Sequence, residues 1–274
     1  MFTPLFLSSP AIVVTLQIGN FHLAMICISL LVWVYLEKNK DTIAGTLLSI
    51  ATLAKISPGL LGIFFIVQKK YKAVAATVIA TMIICGVTYF VFGTKVWHDF
   101  IFYHLSNVQT GRALAFLADS SDSIKFNQAP FGIPFKLSAL GIFDIGWKEA
   151  RWVGNIYTVF LFIITSFAAI RKGSPQFRLT IWISVMMFAS LRSPFAAPFV
   201  LLTVSFLLLL LVCELRSIRS IFLFIVVFIL FSLQFPIANT KIAIGYSLVR
   251  VILLYTFLLW ILFRRERPFG FSRV

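Results

Sequence analysis

The sequence predicts an all-α, polytopic integral membrane helix bundle that forms a single domain over residues 1–274, on three observations. The composition is 60% hydrophobic and only 12% charged, and the mean hydropathy is +0.99, which is typical of multi-pass membrane proteins. Long apolar runs follow one another along the chain. The net charge of +15 lies mostly in the short loops between them, so its expected partners are anionic membrane lipids and not nucleic acid.

The apolar runs place the elements in order. A polar break at residues 17–20 precedes a helix at 21–36, and residues 93–151 form the one long polar connection, with interfacial segments expected at 96–105 and 131–143. Residues 1–36 carry no charged side chain, so the chain is expected to lack the N-terminal part of a longer fold. The other apolar runs are 42–68, 73–92, 152–170, 179–212, 220–235 and 245–263.

Two of these runs are interrupted by polar and proline residues. The 27-residue run 42–68 contains Lys55-Ile56-Ser57-Pro58 and is too short for two full spans of about 20 residues each. The 34-residue run 179–212 contains Arg192-Ser193-Pro194 and, as one helix of about 51 Å, would exceed a bilayer core of about 30 Å. Each run therefore either crosses the membrane or turns back at its break.

The distribution of basic residues distinguishes these arrangements. If both runs turn back, 14 basic residues lie on one side of the membrane and only Lys241 lies in the opposite short loop. The split is 12 to 3 if only the second run turns back, and 8 to 7 if both cross. The positive-inside rule favours two hairpins, with residues 93–151 outside. The 14 residues are Lys38, Lys40, Lys69, Lys70, Lys72, Arg171, Lys172, Arg178, Arg216, Arg219, Arg264, Arg265, Arg267 and Arg273.

Two hairpins would place Lys55 and Arg192 at tips beneath the external loop. Broken backbone at membrane depth is tolerated where it is buried in protein or lines a cavity. Two cationic tips therefore predict a pocket for an anionic, membrane-embedded ligand, and a lipid phosphate fits best. The alternative for Lys55 is a side chain that snorkels from a bent helix.

Four stretches, in this order, resemble landmarks of a known family. They are Gln17-Ile18-Gly19-Asn20, the small-residue stretch from Ala44 into Lys55-Ile56-Ser57-Pro58, Asn127-Gln128-Ala129, and Ser190-Leu191-Arg192-Ser193-Pro194. Together they resemble, over roughly residues 10–212, the C-terminal part of the bacterial polyprenol-phosphate-mannose-dependent mannosyltransferases, which have the GT-C membrane fold.

The resemblance implies transfer of a hexose, in that family mannose, from a polyprenyl-phosphate sugar to a glycolipid or glycan acceptor. The reaction would occur on the outer face of the bacterial cytoplasmic (inner) membrane. No cofactor is expected, and the sequence has no Cys/His/carboxylate cluster that predicts a metal site. By this resemblance Lys55 and Arg192 would bind the donor phosphate. The sugar or acceptor hydroxyls would contact Gln17, Asn20, Asn127 and Gln128.

The catalytic residue is not assigned from the sequence. In the resembling fold the catalytic acid lies in the first external loop near the N-terminus, a region that this chain is expected to lack, so a separate N-terminal chain is an expected partner. The external acids here are Asp99, Asp119, Asp122, Asp144 and Glu149. Two alternatives stay open, a transporter or flippase for a lipid-linked glycan and a non-catalytic membrane subunit.

Two further polar residues have two interpretations each. His22, close to Asn20 at the start of a helix, is either a packing contact or a catalytic group. Arg250, early in the last span, either faces the cavity or snorkels outward.

Overall fold

The computed structural model describes residues 21–107, 114–212, 218–232, 237–264 and 266, and in this part of the chain all regular elements are helical. Short 3₁₀ turns at Ser57–Leu61, Pro130–Gly132 and Pro198–Leu201 separate some of the helices. The helices are α1 (His22–Glu37), α2 (Asp41–Ala54), α3 (Gly62–Val67), α4 (Tyr71–His98), α5 (Phe116–Asp119), α6 (Ser121–Phe126), α7 (Ile133–Ala139), α8 (Trp147–Ala169), α9 (Pro175–Ser190), α10 (Leu202–Val212), α11 (Ile218–Ser232) and α12 (Thr240–Phe263).

Within the described residues, three helical stretches are long and apolar enough to cross a membrane. They are α4 with its continuation to Leu105, α8 and α12. The helices built from the two broken runs are shorter, as their interruptions predict. The all-α membrane bundle with short broken hairpins is therefore confirmed.

The first broken run turns back at its break. Helices α2 and α4 run parallel, because the Thr77 hydroxyl donates to the Gly45 carbonyl (3.1 Å) and the Thr81 hydroxyl donates to Ser49 Oγ (3.0 Å). Two consecutive parallel helices require the chain between them to return to the side from which it started. That return is made by residues 57–67, so the predicted hairpin is present.

Small side chains let α2 approach α4 closely. A Cβ added at Gly45 would lie 2.3 Å from the Ala73 carbonyl oxygen, so only glycine fits this crossing. Small residues at helix contacts, which allow backbone groups to meet, are typical of membrane helix packing. A glycine also allows close packing in the segment that turns back, residues 57–67, where a Cβ at Gly59 would lie 2.9 Å from Thr52 Cγ2.

The second broken run also turns back, around the central helix of the bundle. Helix α9 packs side by side with α10 beyond the break, and it also contacts α1, α8 and α12. Of its 16 residues, 12 are buried. The Trp182 indole N–H donates to the Ser29 carbonyl in α1 (3.0 Å), which places a polar bond inside this core.

The basic loops lie together on one face. Lys70 Nζ bonds Asn39 Oδ1 (2.7 Å) and pairs with Asp41 (3.3 Å), which joins the loop after α1 to the loop after α3. Arg178, in the first turn of α9, pairs with Glu37 at the end of α1 at 2.5 Å, which adds the start of α9 to this face. The grouping predicted from the charge distribution is therefore present for these loops.

The end of α12 joins the same face. The Arg171 guanidinium donates to the Arg264 carbonyl (2.6 Å), and the Ser174 N–H donates to Glu266 Oε1 (2.9 Å). Hydrogen bonds from the Ser174 hydroxyl and backbone N–H lower the pKa of the Glu266 carboxyl. These hydrogen bonds therefore favour the charged form of the Glu266 carboxyl.

The long connection differs in part from its expected form. The segment at 131–143, expected at the interface, begins inside the bundle, because Phe131, Phe135 and Lys136 are buried. Helix α7 packs there against α8 and α12. Helix α4 continues past a kink at Gly93 (φ 79°) into a π-helical stretch to Leu105, which has no buried side chain.

The close crossing of α2 and α4 gives a first test. We expect Gly45→Val to lower the thermal unfolding midpoint of the detergent-solubilised protein, since overpacking costs about 1–3 kcal/mol. Gly86→Val is the matched control, because a Cβ at Gly86 in α4 meets nothing within 4 Å. Equal midpoints for the two variants would contradict the packing described here.

Candidate functional site

The two helix breaks meet at a cavity of about 310 Å³. Lys55 lies at the first break and Ser193 at the second, and His22 comes from the start of α1. The rest of the described wall is mostly apolar, so this part of the chain supplies one cationic group and an apolar surface. Its lining consists of Phe21, His22, Met25, Ala54, Lys55, Ser193, Phe195 and Val200.

Lys55 follows directly after the last residue of α2. Its backbone is extended (φ −156°, ψ 123°), and its N–H still donates to the Ala51 carbonyl (3.0 Å). The negative end of the helix dipole stabilises a cation at this position by roughly 0.3–1 kcal/mol at exposed sites. The side chain is partly buried and lines the cavity, which favours the pocket interpretation over snorkelling into lipid.

His22 is the neighbour of this ammonium group. The Lys55 Nζ and His22 Nδ1 atoms lie 3.1 Å apart, and the His22 side chain is 2% exposed. A charged lysine can only donate, so this contact uses Nδ1 as the acceptor and places the ring proton on Nε2. His22 therefore orients Lys55 without neutralising it.

Arg192, the other predicted phosphate ligand, points elsewhere. Its Nε bonds Thr158 Oγ1 in α8, and it is not among the residues that line the cavity. The neighbouring residue Ser193 does line the cavity. The structure therefore brings the two breaks together but does not bring the two cationic side chains to one point.

Asn127 holds the second break in place. Its Nδ2 donates to the Pro194 carbonyl (2.9 Å), and its Oδ1 accepts from the N–H groups of Ala196 (3.0 Å) and Ala129 (2.9 Å). The residue is 1% exposed. One buried amide thus satisfies two backbone groups that the broken helix leaves without helical partners.

Gln128 completes this attachment. Its backbone N–H donates to the Ala196 carbonyl (2.7 Å), and its Nε2 donates to the Phe126 carbonyl (3.2 Å). The residue is 2% exposed, and its Oε1 is buried without a hydrogen-bond partner among the residues that the structure describes. Binding of sugar hydroxyls by Asn127 and Gln128 stays a prediction, as it does for Gln17 and Asn20, which lie outside the described residues.

No carboxylate lines the cavity within the described ranges. Asp122 pairs with Lys125 (2.8 Å), Asp99 lies beside His98 (3.6 Å), and Glu149 accepts from the Gly146 N–H (2.9 Å). Asp119 and Asp144 are exposed. These five acids therefore have local roles or face solvent, and none of them is placed as a general base here.

No local pattern in the sequence pairs His22 with Lys55. The two residues are 33 positions apart and on different helices, and only the antiparallel packing of α1 and α2 brings them together. One feature of the sequence does indicate that His22 and Lys55 are close. Both lie at helix ends that face the same side of the membrane. A two-hairpin arrangement predicts that those ends are close.

The arrangement suits one kind of ligand. A single ammonium group in an apolar cavity, next to broken backbone, binds an anion that carries a long apolar tail better than a free, hydrated anion. The histidine keeps the ammonium directed into the cavity. The site is thus equipped for binding and orientation, and the described residues supply no carboxylate for proton transfer.

Comparison with known proteins identifies one family. A family model described as glycosyltransferase family 87 matches residues 1–194, more than half of the chain. The matched range includes Lys55, Asn127, Gln128 and Arg192. No curated protein and no solved structure gives a significant match.

The hydrogen bonds by which the Asn127 side chain holds the second break can be tested. We expect Asn127→Ala to lower the thermal unfolding midpoint strongly, because each buried backbone group left unpaired costs about 1–3 kcal/mol. Asn155→Ala, at an exposed position of α8, is the control and should behave like the unmodified protein. If both alanine variants unfold at the same temperature, Asn127 does not hold the break.

Proposed function

Because the chain belongs to glycosyltransferase family 87 and is a membrane glycosyltransferase, we propose that it transfers a hexose from a polyprenyl-phosphate donor. We propose mannose as the sugar, a glycolipid or glycan as the acceptor, and the outer face of the bacterial cytoplasmic membrane as the location. The family match favours this enzyme over the transporter and the non-catalytic subunit.

The observation that carries the proposal is the cavity between the two helix breaks. A polyprenyl phosphate joins one anionic group to a long apolar chain. The cavity offers the matching pair, the Lys55 ammonium and an apolar wall that includes Phe21, Met25 and Phe195. Charge-assisted hydrogen bonds to a phosphate are stronger than neutral ones, particularly away from water.

The proposed ligands keep the roles that the family resemblance implies. Lys55 binds the donor phosphate in the position seen, with His22 orienting its ammonium group. Arg192 joins the phosphate after its guanidinium leaves Thr158. Gln17, Asn20, Asn127 and Gln128 are proposed to contact the sugar or the acceptor, and we assign no catalytic base.

The donor site has a direct test. We expect Lys55→Ala to insert and fold normally but to bind a polyprenyl-phosphate sugar about tenfold more weakly or worse, since a hydrogen bond to a charged group contributes about 1.5–3 kcal/mol. Lys148→Ala, an exposed lysine at the start of α8, is the matched control. Binding can be measured by microscale thermophoresis in nanodiscs; unchanged affinity in Lys55→Ala would remove Lys55 from the donor site.

The proposed orientation has a separate test. Ser121 is exposed at the start of α6, and Lys172 is exposed on the face of the basic loops. In a background without Cys27, Cys85 and Cys213, we expect Ser121→Cys to react with a membrane-impermeant maleimide on intact cells. Lys172→Cys should react only after lysis, and the opposite pattern would invert the topology.

A further inference from the structure

A second group of cations is buried on the side of the bundle away from the basic loops. Lys136 in α7 is fully buried, and its Nζ donates to Ser247 Oγ in α12 at 2.6 Å. Arg250 follows one turn later in α12, so it shares a face with Ser247. Arg250 is 5% exposed, and its Nη2 donates to the Phe231 carbonyl (2.6 Å).

These two cations lack a counter-ion among the described residues. None of the carboxylates in the described ranges pairs with either of them. Asp122 lies in α6, which packs on α12, but its carboxylate is 71% exposed and bonds Lys125. Two basic side chains on adjacent helices are therefore buried without an anion among the described residues.

The cost of this arrangement is high. Removing an ion from water costs several kcal/mol unless a partner charge compensates. The guanidinium cannot lose its proton, and the Arg250 Nε is buried without a partner among the described residues. Burial, and to a lesser extent the charge of Arg250, lower the pKa of Lys136 to about 7, so an added anion would favour its charged form.

We propose that Lys136, Ser247 and Arg250 form a second anion site, which binds a phosphoryl group. The three side chains supply an ammonium, a hydroxyl and a guanidinium from two elements, a donor set that matches the oxygens of a phosphate. The phosphoryl group belongs either to inorganic phosphate or to a lipid phosphate. Because Lys136 is fully buried, the ligand enters when α7 moves away from α12.

This site shares no residue with the Lys55 cavity. Its residues come from α7 and α12, whereas the cavity is lined by α1, the end of α2 and the second break. The inference does not depend on the proposed reaction, and a Lys55→Ala background separates the two in an experiment.

The experiment measures the unfolding midpoint of the full chain carrying Lys55→Ala in phosphatidylcholine nanodiscs. Inorganic phosphate and farnesyl phosphate are titrated separately, with ionic strength held constant by sodium chloride. A ligand that binds the folded state raises the midpoint with concentration. We expect at least one of them to do so, and farnesyl phosphate alone would identify the source as lipid.

Further substitutions are then added to this background. We expect Lys136→Met to weaken the response about tenfold or more, since one charge-assisted bond is lost. Lys125→Met, which removes an exposed lysine of α6, should leave the response intact. Ser247→Ala and Arg250→Gln should weaken it as well, and they decide the test if Lys136→Met does not fold.

Two results would overturn the site. One is a midpoint that neither phosphate raises. The other is a response of unchanged strength in Lys136→Met, or in Ser247→Ala and Arg250→Gln if the lysine variant fails to fold.

Discussion

The structure depends on how the backbone is satisfied where two helices break inside the bundle. In hydrocarbon an unpaired N–H or carbonyl costs several kcal/mol, so a break persists only where protein groups replace the missing helical bonds. At the second break Asn127 and the Gln128 backbone supply three such bonds. Gly132 leaves room for this amide, because a Cβ there would lie 2.7 Å from Asn127 Nδ2. The long connection is thereby attached to the core of the bundle.

The two breaks form a single cavity because the helices that carry them pack around α9. The close α2–α4 crossing at Gly45 sets the position of the first hairpin, and the 3₁₀ turn after Lys55 contacts α9. Lys55 therefore ends beside the loop that follows α9. The ion-paired loops connect the opposite ends of the same helices. The bundle therefore has a basic face, which carries these loops, and a site face, which carries the two helix breaks.

On the site face, cations are buried without a carboxylate partner among the described residues. Lys55, Lys136 and Arg250 all lack a carboxylate partner among the described residues, whereas Lys70 and Arg178 on the basic face have one. In a low-dielectric interior an uncompensated cation is a strong attractor of anions. Buried cations without carboxylate partners suit a membrane enzyme that binds lipid phosphates. The difference between the two faces therefore supports the proposed chemistry.

The sequence by itself determined the helices, the two hairpins and the shared face of the basic loops. Apolar runs, proline breaks and loop charges are local features that the membrane converts directly into topology. Only the tertiary structure decided which side chains meet. The packing of α1 on α2 brings His22 and Lys55 together, whereas Arg192 bonds Thr158. The Asn127 side chain bonds backbone groups of the second break, and Lys136 is buried against Ser247. Side-chain partners depend on helix rotation and crossing, which hydropathy and charge patterns do not encode.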